Sequence, residues 1–287
     1  MSGQDNVPAR KGLWAMPVLL ALVVLSTAAR GAELPQWEAG IGISALTIPD
    51  YRGADQSQFY VFPIPYLIYR GDVLKVDRRA VRGVFFKSER LEVDTSFSGS
   101  PPVRSGRNGA RQGMPDLDPL FEAGPSLKYL LLRSAGGELR VDLQFPLRAV
   151  FVTDFSYLRY SGLVFNPRIS LDWSRSGPEE RLSAGVALGP LFTDSRNSRL
   201  FYEVDPIYAT PVRPAYEAHG GYGGMQLALA ATMRRGSIWI GAFSRIDNLQ
   251  GARFEDSPLV KARWSVMTGL ALSWVFGSSE AMAQAEE

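Results

Sequence analysis

The chain has no cysteine and only one histidine, His219, among its 287 residues. Without thiols it forms no disulfide, no thiolate metal site and no cysteine nucleophile. With one imidazole it builds no histidine metal cluster, and any hydrolytic triad would have to use His219 as its base. An excess of one charge is also missing. Lys and Arg number 31 against 29 Asp and Glu, and residues 1–31 hold three of the former and one of the latter, so the remainder carries 28 of each. With neither a basic excess nor a basic run, a nucleic-acid role has no support.

Long apolar runs are scarce as well. The one present, residues 13–29, follows Arg10 and Lys11 and ends in small residues around Ala28, Ala29 and Gly31. It reads as a secretory signal peptide over residues 1–31, cleaved after Ala29 or Gly31, while Pro17 disfavours an uncleaved anchor. Beyond residue 32 no run is long enough to cross a bilayer as a helix. A mean hydropathy of −0.05 weighs against a helical membrane protein more than against a barrel, because alternation dilutes each strand with polar residues.

What is present is period two. From Arg263 onward, Trp264, Val266, Thr268, Leu270, Leu272, Trp274 and Phe276 fall on one side, and Ser265, Met267, Gly269, Ala271, Ser273 and Val275 on the other. Such a strand suits a wall with hydrocarbon outside and a wet lumen inside. Residues 139–147 and 163–173 repeat the pattern and place Arg140, Asp142, Arg148, Arg168 and Asp172 on the polar face. Charges of both signs on one face predict a mutually paired, polar lumen. The competing reading is an antiparallel sandwich whose polar face meets bulk water.

Further strands are expected at 37–46, 59–68, 91–97, 121–132, 182–191, 222–233 and 238–246, with short connectors alternating with long ones. That asymmetry is the one bacterial barrels show between periplasmic turns and outer loops. Termini on one side require an even count, so residues 73–87 split into 73–77 and 81–87. The expected fold is therefore a closed antiparallel transmembrane β-barrel of 12 strands, with 10 as the fallback. It would occupy residues 32–276, followed by a polar tail at 277–287. Residues 200–205 stand as a possible strand extension inside the long 192–221 loop, and whether that loop plugs the lumen is open. Trp37, Tyr66, Tyr69, Tyr129, Trp173, Trp239, Trp264 and Trp274 are expected in the interfacial girdles.

The chemical constellations are thin. Gly220 follows His219 where outer-membrane lipid hydrolases carry a serine, so a catalytic role is weak; no cofactor or metal is expected. Gly220, Gly221, Gly223 and Gly224 read as backbone relief at a barrel bend. Two loop motifs are more specific: Asp50, Tyr51, Arg52, Gly53 and Asp55 after the first strand, and Asp256, Ser257 and Pro258 before the last. First and last strands of a closed barrel are neighbours, so these loops should share one rim, with Arg52 pairing Asp55 or Asp256.

The opening Pro49-Asp50-Tyr51-Arg52-Gly53-Ala54-Asp55 motif, then Pro63, Pro65, Tyr69-Arg70-Gly71-Asp72, Phe201-Tyr202 before Tyr216, and Asp256-Ser257-Pro258 resemble the MltA-interacting protein family, MipA/OmpV. The resemblance covers essentially the whole mature chain. It implies an outer-membrane barrel of a Gram-negative bacterium, embedded in outer-membrane lipid and acting as a non-enzymatic scaffold for a periplasmic murein hydrolase and synthase. A narrow channel for a small solute is the alternative. One departure from the usual barrel is the tail beyond Phe276, where barrels commonly end on their last aromatic.

Overall fold

The computed structural model describes residues 33–284 except 72–73, 77–80, 155 and 178–179. The expected signal peptide lies outside the described residues. Among those described, no helix is long and apolar enough to cross a membrane, and the chain is dominated by strands.

In chain order these are β1 (Trp37–Pro49), β2 (Ser57–Arg70), β3 (Leu74–Val76), β4 (Val81–Lys87), β5 (Leu91–Ser100), β6 (Leu120–Arg133) and β7 (Leu139–Thr153). After them come β8, in two halves (Leu158–Phe165 and Arg168–Ser176), β9 (Glu180–Thr193), β10 (Gly221–Arg235), β11 (Ile238–Asn248) and β12 (Trp264–Ser278). Each pairs antiparallel with its sequence neighbours, and β12 pairs with β1, for example Leu272 opposite Ile43. The ladder thus returns to its start and closes, giving a twelve-stranded antiparallel barrel. Splitting residues 73–87 agrees with the β3–β4 hairpin.

The halves of β8 behave as one strand. Gln144 opposite Arg168 and Leu147 opposite Phe165 keep a single register with β7, and Ile169–Leu188 and Phe192–Phe165 do so with β9. The break falls at Asn166 and Pro167, where proline has no N–H to give the ladder. The Asn166 side-chain amide donates to the Pro190 carbonyl at 2.9 Å and substitutes for that donor.

Alternation sets the two faces. Leu272, Trp274, Ile41 and Ile43 lie 49–57% exposed, Phe59 69% and Leu67 57%, because their neighbour is hydrocarbon rather than protein. The intervening residues face inward: Glu38 is 2% exposed, Ser273 1% and Asp247 1%. Two aromatics depart from the girdle expected of them. Tyr66 and Trp239 have inward parity, are buried, and pack ring to ring at 5.5 Å.

The outer connections are folded rather than loose. Of the segment at 200–205, considered as a strand extension, residues 200–202 end α1 (Ser195–Tyr202), which is capped by the Asp194 side chain accepting from the Asn197 amide at 2.8 Å, and Val204 makes a single antiparallel bridge with Tyr216. Gly162, at φ +113°, sits where a Cβ would meet Asp194 Oδ1 at 2.2 Å, so only glycine lets this helix dock on β8. At the opposite end, beyond the barrel, Glu33–Pro35 pairs antiparallel with Met282–Gln284, joining the segments before β1 and after β12 in a short ribbon. The polar tail is therefore structured over that stretch.

Leu272→Arg should destabilise the reconstituted barrel by about 2–4 kcal/mol, the cost of a cation on the lipid face near mid-wall. Denaturant titration in liposomes measures this. Ala271→Arg, one residue away and facing the lumen, should cost much less.

Candidate functional site

At the end of the barrel with the long connections, four of them, 50–56, 101–119, 194–220 and 249–263, pack together as a roof. They share one apolar core, in which Tyr51, Val103, Leu117, Tyr202, Val204, Ala218, Leu249, Phe254 and Leu259 are all buried. The centre is Tyr202, whose ring stacks on Phe254 at 3.7 Å between centroids and meets Tyr51 edge-on at 6.4 Å.

The first rim motif supplies the joints. Tyr51 Oη donates to the Leu259 carbonyl at 2.8 Å. Gly53, at φ +91°, donates its amide to Ser265 Oγ at 2.7 Å and accepts from the Lys261 and Ala262 amides at 2.7 and 3.0 Å. Asp50 accepts from Asn108 Nδ2 at 2.7 Å and from Gln58 at 3.1 Å. From the second motif, Ser257 Oγ donates to the Tyr202 carbonyl at 2.6 Å, beside the half-buried Pro258. Loops separated by about two hundred positions are thus stitched together because the first and last strands are neighbours.

Arg52 corrects its expected pairing. It turns down into the barrel mouth, where Nε meets Asp247 Oδ1 at 3.0 Å and Nη2 donates to the Gly223 carbonyl at 2.7 Å, while Asp55 and Asp256 lie exposed. Asp247 is nearly fully buried and also accepts from Gln226 at 2.9 Å and Arg245 at 3.1 Å. The reason is electrostatic: a buried carboxylate binds a guanidinium far more strongly than an exposed one competing with water.

Two further arginines do similar work, and neither belongs to a motif. Arg213 donates to the carbonyls of Tyr208, Ala110 and Gln112, stapling the 194–220 connection to the 101–119 connection. Arg111 reaches the Phe201 carbonyl at 3.3 Å and lies over the Tyr51 ring, and its burial pulls its pKa below the usual arginine value. The signal missed in the sequence is that both lie in long loops, where a guanidinium's several donors can satisfy carbonyls that no strand pairs.

The expected lumen charges are all on inward-facing positions of β7 and β8. Arg140 Nε pairs with Asp142 at 2.7 Å, Arg148 Nε with Glu122 at 2.7 Å, and Arg168 Nε donates to Gln144 Oε1 at 2.9 Å; Asp172 lies in the same face. Beside them Lys128 pairs with Asp94. A second cluster lies at the short-turn end: the Glu38 carboxylate meets Arg70 at 2.8 Å and Arg181 at 2.9 Å, with Arg234 at 3.8 Å. Arg181 and Arg234 are direct cross-strand partners, and like charges so placed repel unless a carboxylate lies between them. Glu38 is that carboxylate. His219 lies exposed at the roof, and among the described residues no trio of His, Asp or Glu is placed to hold a metal.

A closed twelve-stranded wall with this rim has a recognisable counterpart. The model of the MltA-interacting protein family, MipA, matches residues 41–276. The chain belongs to that family. None of the curated proteins compared matches it. Solved outer-membrane barrels resemble it at low similarity. OmpT of Vibrio cholerae is 7% identical with a TM-score of 0.33, covering 86% of this chain and 99% of its own. The outer membrane protease OmpT of Escherichia coli is 8% identical with a TM-score of 0.31, covering 87% and 100%. The CymD monoaromatic hydrocarbon channel is 10% identical with a TM-score of 0.29, covering 84% and 89%. The protein is an outer-membrane β-barrel of the MipA family.

Burial pushes the Tyr51 and Tyr202 phenols well above the ordinary tyrosine value, so both remain neutral donors. Their contribution to the roof is complete below the ordinary value of about 10 and is lost as pH rises beyond it. Protease cleavage within 194–220 should therefore stay suppressed at neutral pH and begin above about pH 10. Tyr51→Phe should cost about 1 kcal/mol for its hydrogen bond and make the alkaline loss shallower. Glu38→Ala, which strands Arg70, Arg181 and Arg234, should cost about 3 kcal/mol in denaturant titrations, the low end for a broken buried pair because the arginines reach the lumen.

Proposed function

We propose that the protein is a non-enzymatic scaffold of the outer membrane that gathers murein hydrolase and synthase at its periplasmic end. The observation that carries this reading is the pairing of Glu33–Pro35 with Met282–Gln284 at the short-turn end, opposite the roof. The roof locks the rim motifs into internal joints, so Tyr51, Arg52, Gly53 and Ser257 are engaged with each other and not offered to a partner. A two-stranded ribbon has two free edges, and free edges accept a partner strand. The family description, MltA-interacting protein, supports a murein hydrolase as that partner.

Detergent-extracted protein should retain a murein hydrolase above the level of an unrelated barrel, and deletion of residues 279–287 should abolish retention while leaving the barrel folded. Equal retention by the deletion, or none by the intact chain, rejects the scaffold.

The narrow channel is the second reading, favoured by the paired charges of β7 and β8. The roof opposes free conduction. Intact protein should be nearly silent in planar bilayers, whereas replacing residues 196–217 by a short Gly/Ser linker should give conductance whose ion selectivity shifts in Arg148→Ala.

A further inference from the structure

A buried polar atom in a folded protein nearly always has a hydrogen-bond partner, so one without a partner calls for a physical explanation. Among the described residues, four such atoms fall on three residues in one cross-strand row: Arg234 Nε, Arg234 Nη1, Trp239 Nε1 and Ser273 Oγ. Arg234 of β10 is paired with Trp239 of β11, and Trp239 with Ser273 of β12. All four atoms carry hydrogens to donate. Asp142 and Asn166, elsewhere in the wall, each leave an acceptor oxygen bare instead.

Two of these donors are seated by glycines. A Cβ on Gly42 would come within 2.2 Å of Ser273 Oγ, and one on Gly241 within 2.4 Å of the Trp239 ring, so any other residue at either place would displace the donor. Trp239 is 8% exposed and Ser273 1%, which holds both groups in the wall.

The same place carries an excess of positive charge. The Glu38 carboxylate accepts from Arg70 Nη2 at 2.8 Å, from Arg181 Nη2 at 2.9 and 3.0 Å and from Tyr66 Oη at 3.5 Å. Arg234 Nε is left 3.8 Å from it, beyond a normal hydrogen bond. Among the described residues, Glu38 is the one carboxylate that pairs with any of these three arginines. The Tyr66 ring packs 5.5 Å from that of Trp239, so the indole and the surplus guanidinium border the same group. Water would answer a bare N–H but leave the charge. An anion answers both.

We propose that Arg234, Trp239 and Ser273, beside Arg181, bind a soluble phosphate group inside the barrel near the short turns. A carboxylate is matched by one guanidinium fork, whereas phosphate has further acceptor oxygens for the indole and hydroxyl of the neighbouring strands. The row faces inward, so the phosphate is that of a dissolved ion or monoester and not of a bilayer headgroup. The Arg70, Arg181 and Arg234 side chains are 14–18% exposed, and turning the Arg234 fork through its rotamers presents Nε and Nη1 with β10 still paired. The ribbon takes no part, so this site stands independently of the scaffold reading.

Calorimetric titration of the folded full chain, in a detergent without phosphate, tests the site. Inorganic phosphate should bind saturably, and acetate at equal ionic strength should not. Arg234→Gln should weaken phosphate binding at least about tenfold. Trp239→Phe, which keeps a ring on Tyr66 and removes the N–H, should weaken it severalfold. Arg245→Gln, which alters a lumenal arginine at the roof end, should leave it unchanged. Glycerol phosphate binding as well as the free ion would support a monoester as ligand, and binding of the free ion alone would support inorganic phosphate. Heat-dependent gel migration checks that each variant is folded. No saturable binding by the intact chain, equal binding of acetate, equal affinity in Arg234→Gln and Trp239→Phe, or an equal loss in Arg245→Gln would each overturn the site.

Discussion

The structure depends on one constraint: in hydrocarbon a backbone N–H or C=O has no water to turn to, so nearly every such group must find another strand. Closure between β12 and β1 follows from it, and closure makes residues more than two hundred positions apart into neighbours. Everything else inherits that geometry. Strict alternation assigns lipid to Leu272 and lumen to Ser273. The same cross-strand proximity explains why Gly42 and Gly40 occur in β1, where a Cβ would come within 2.4 Å of the Leu272 or Trp274 carbonyl. It also explains why the rim motif at one end of the chain is meaningful only beside the loop at the other.

Charge is used in two layers, and the layers have different jobs. Near the roof, Asp247 gathers Arg52, Arg245 and Gln226, tying an outer loop to the barrel wall. Near the short turns, Glu38 gathers arginines from β2, β9 and β10 and so links distant staves across the lumen. A single buried carboxylate shared by several guanidinium groups gives geometric specificity, since removing it leaves mutually repelling cations. Between these layers, Arg140 with Asp142, Arg148 with Glu122 and Lys128 with Asp94 pair charges within the lumen.

The wall is legible because period two survives along the long strands, and the alternation of short and long connectors separates the two ends of the barrel. Individual inward aromatics are not. Tyr66 and Trp239 carry residue types that suit a membrane interface, and only the register of their strands turns them inward. Arg52 departs from its expected partners: the shared rim offered the exposed Asp55 and Asp256, while burial favours Asp247. The roof was the least legible part. Its core is assembled from Tyr51, Leu117, Tyr202 and Phe254, drawn from four loops with no shared periodicity, so no local pattern reports it. Arg111 and Arg213 bond backbone carbonyls, a role that leaves no complementary charge to be read in the sequence.

A roof built like a small hydrophobic core has a consequence for how the protein meets its surroundings. Loops that exist to bind an external partner usually keep their side chains exposed and their backbone loosely held. Here the motif residues are buried, hydrogen-bonded to carbonyls of other loops, and stacked. Such loops resist opening, because each would have to expose apolar area and orphan several polar groups at once. Four loops held this way act as one rigid cap on the barrel rather than as separate recognition elements. Proline is placed with the same economy: Pro63 and Pro65 fall on odd-numbered β2 positions, whereas the even-numbered ones bond β1, so their missing N–H groups cost that ladder nothing.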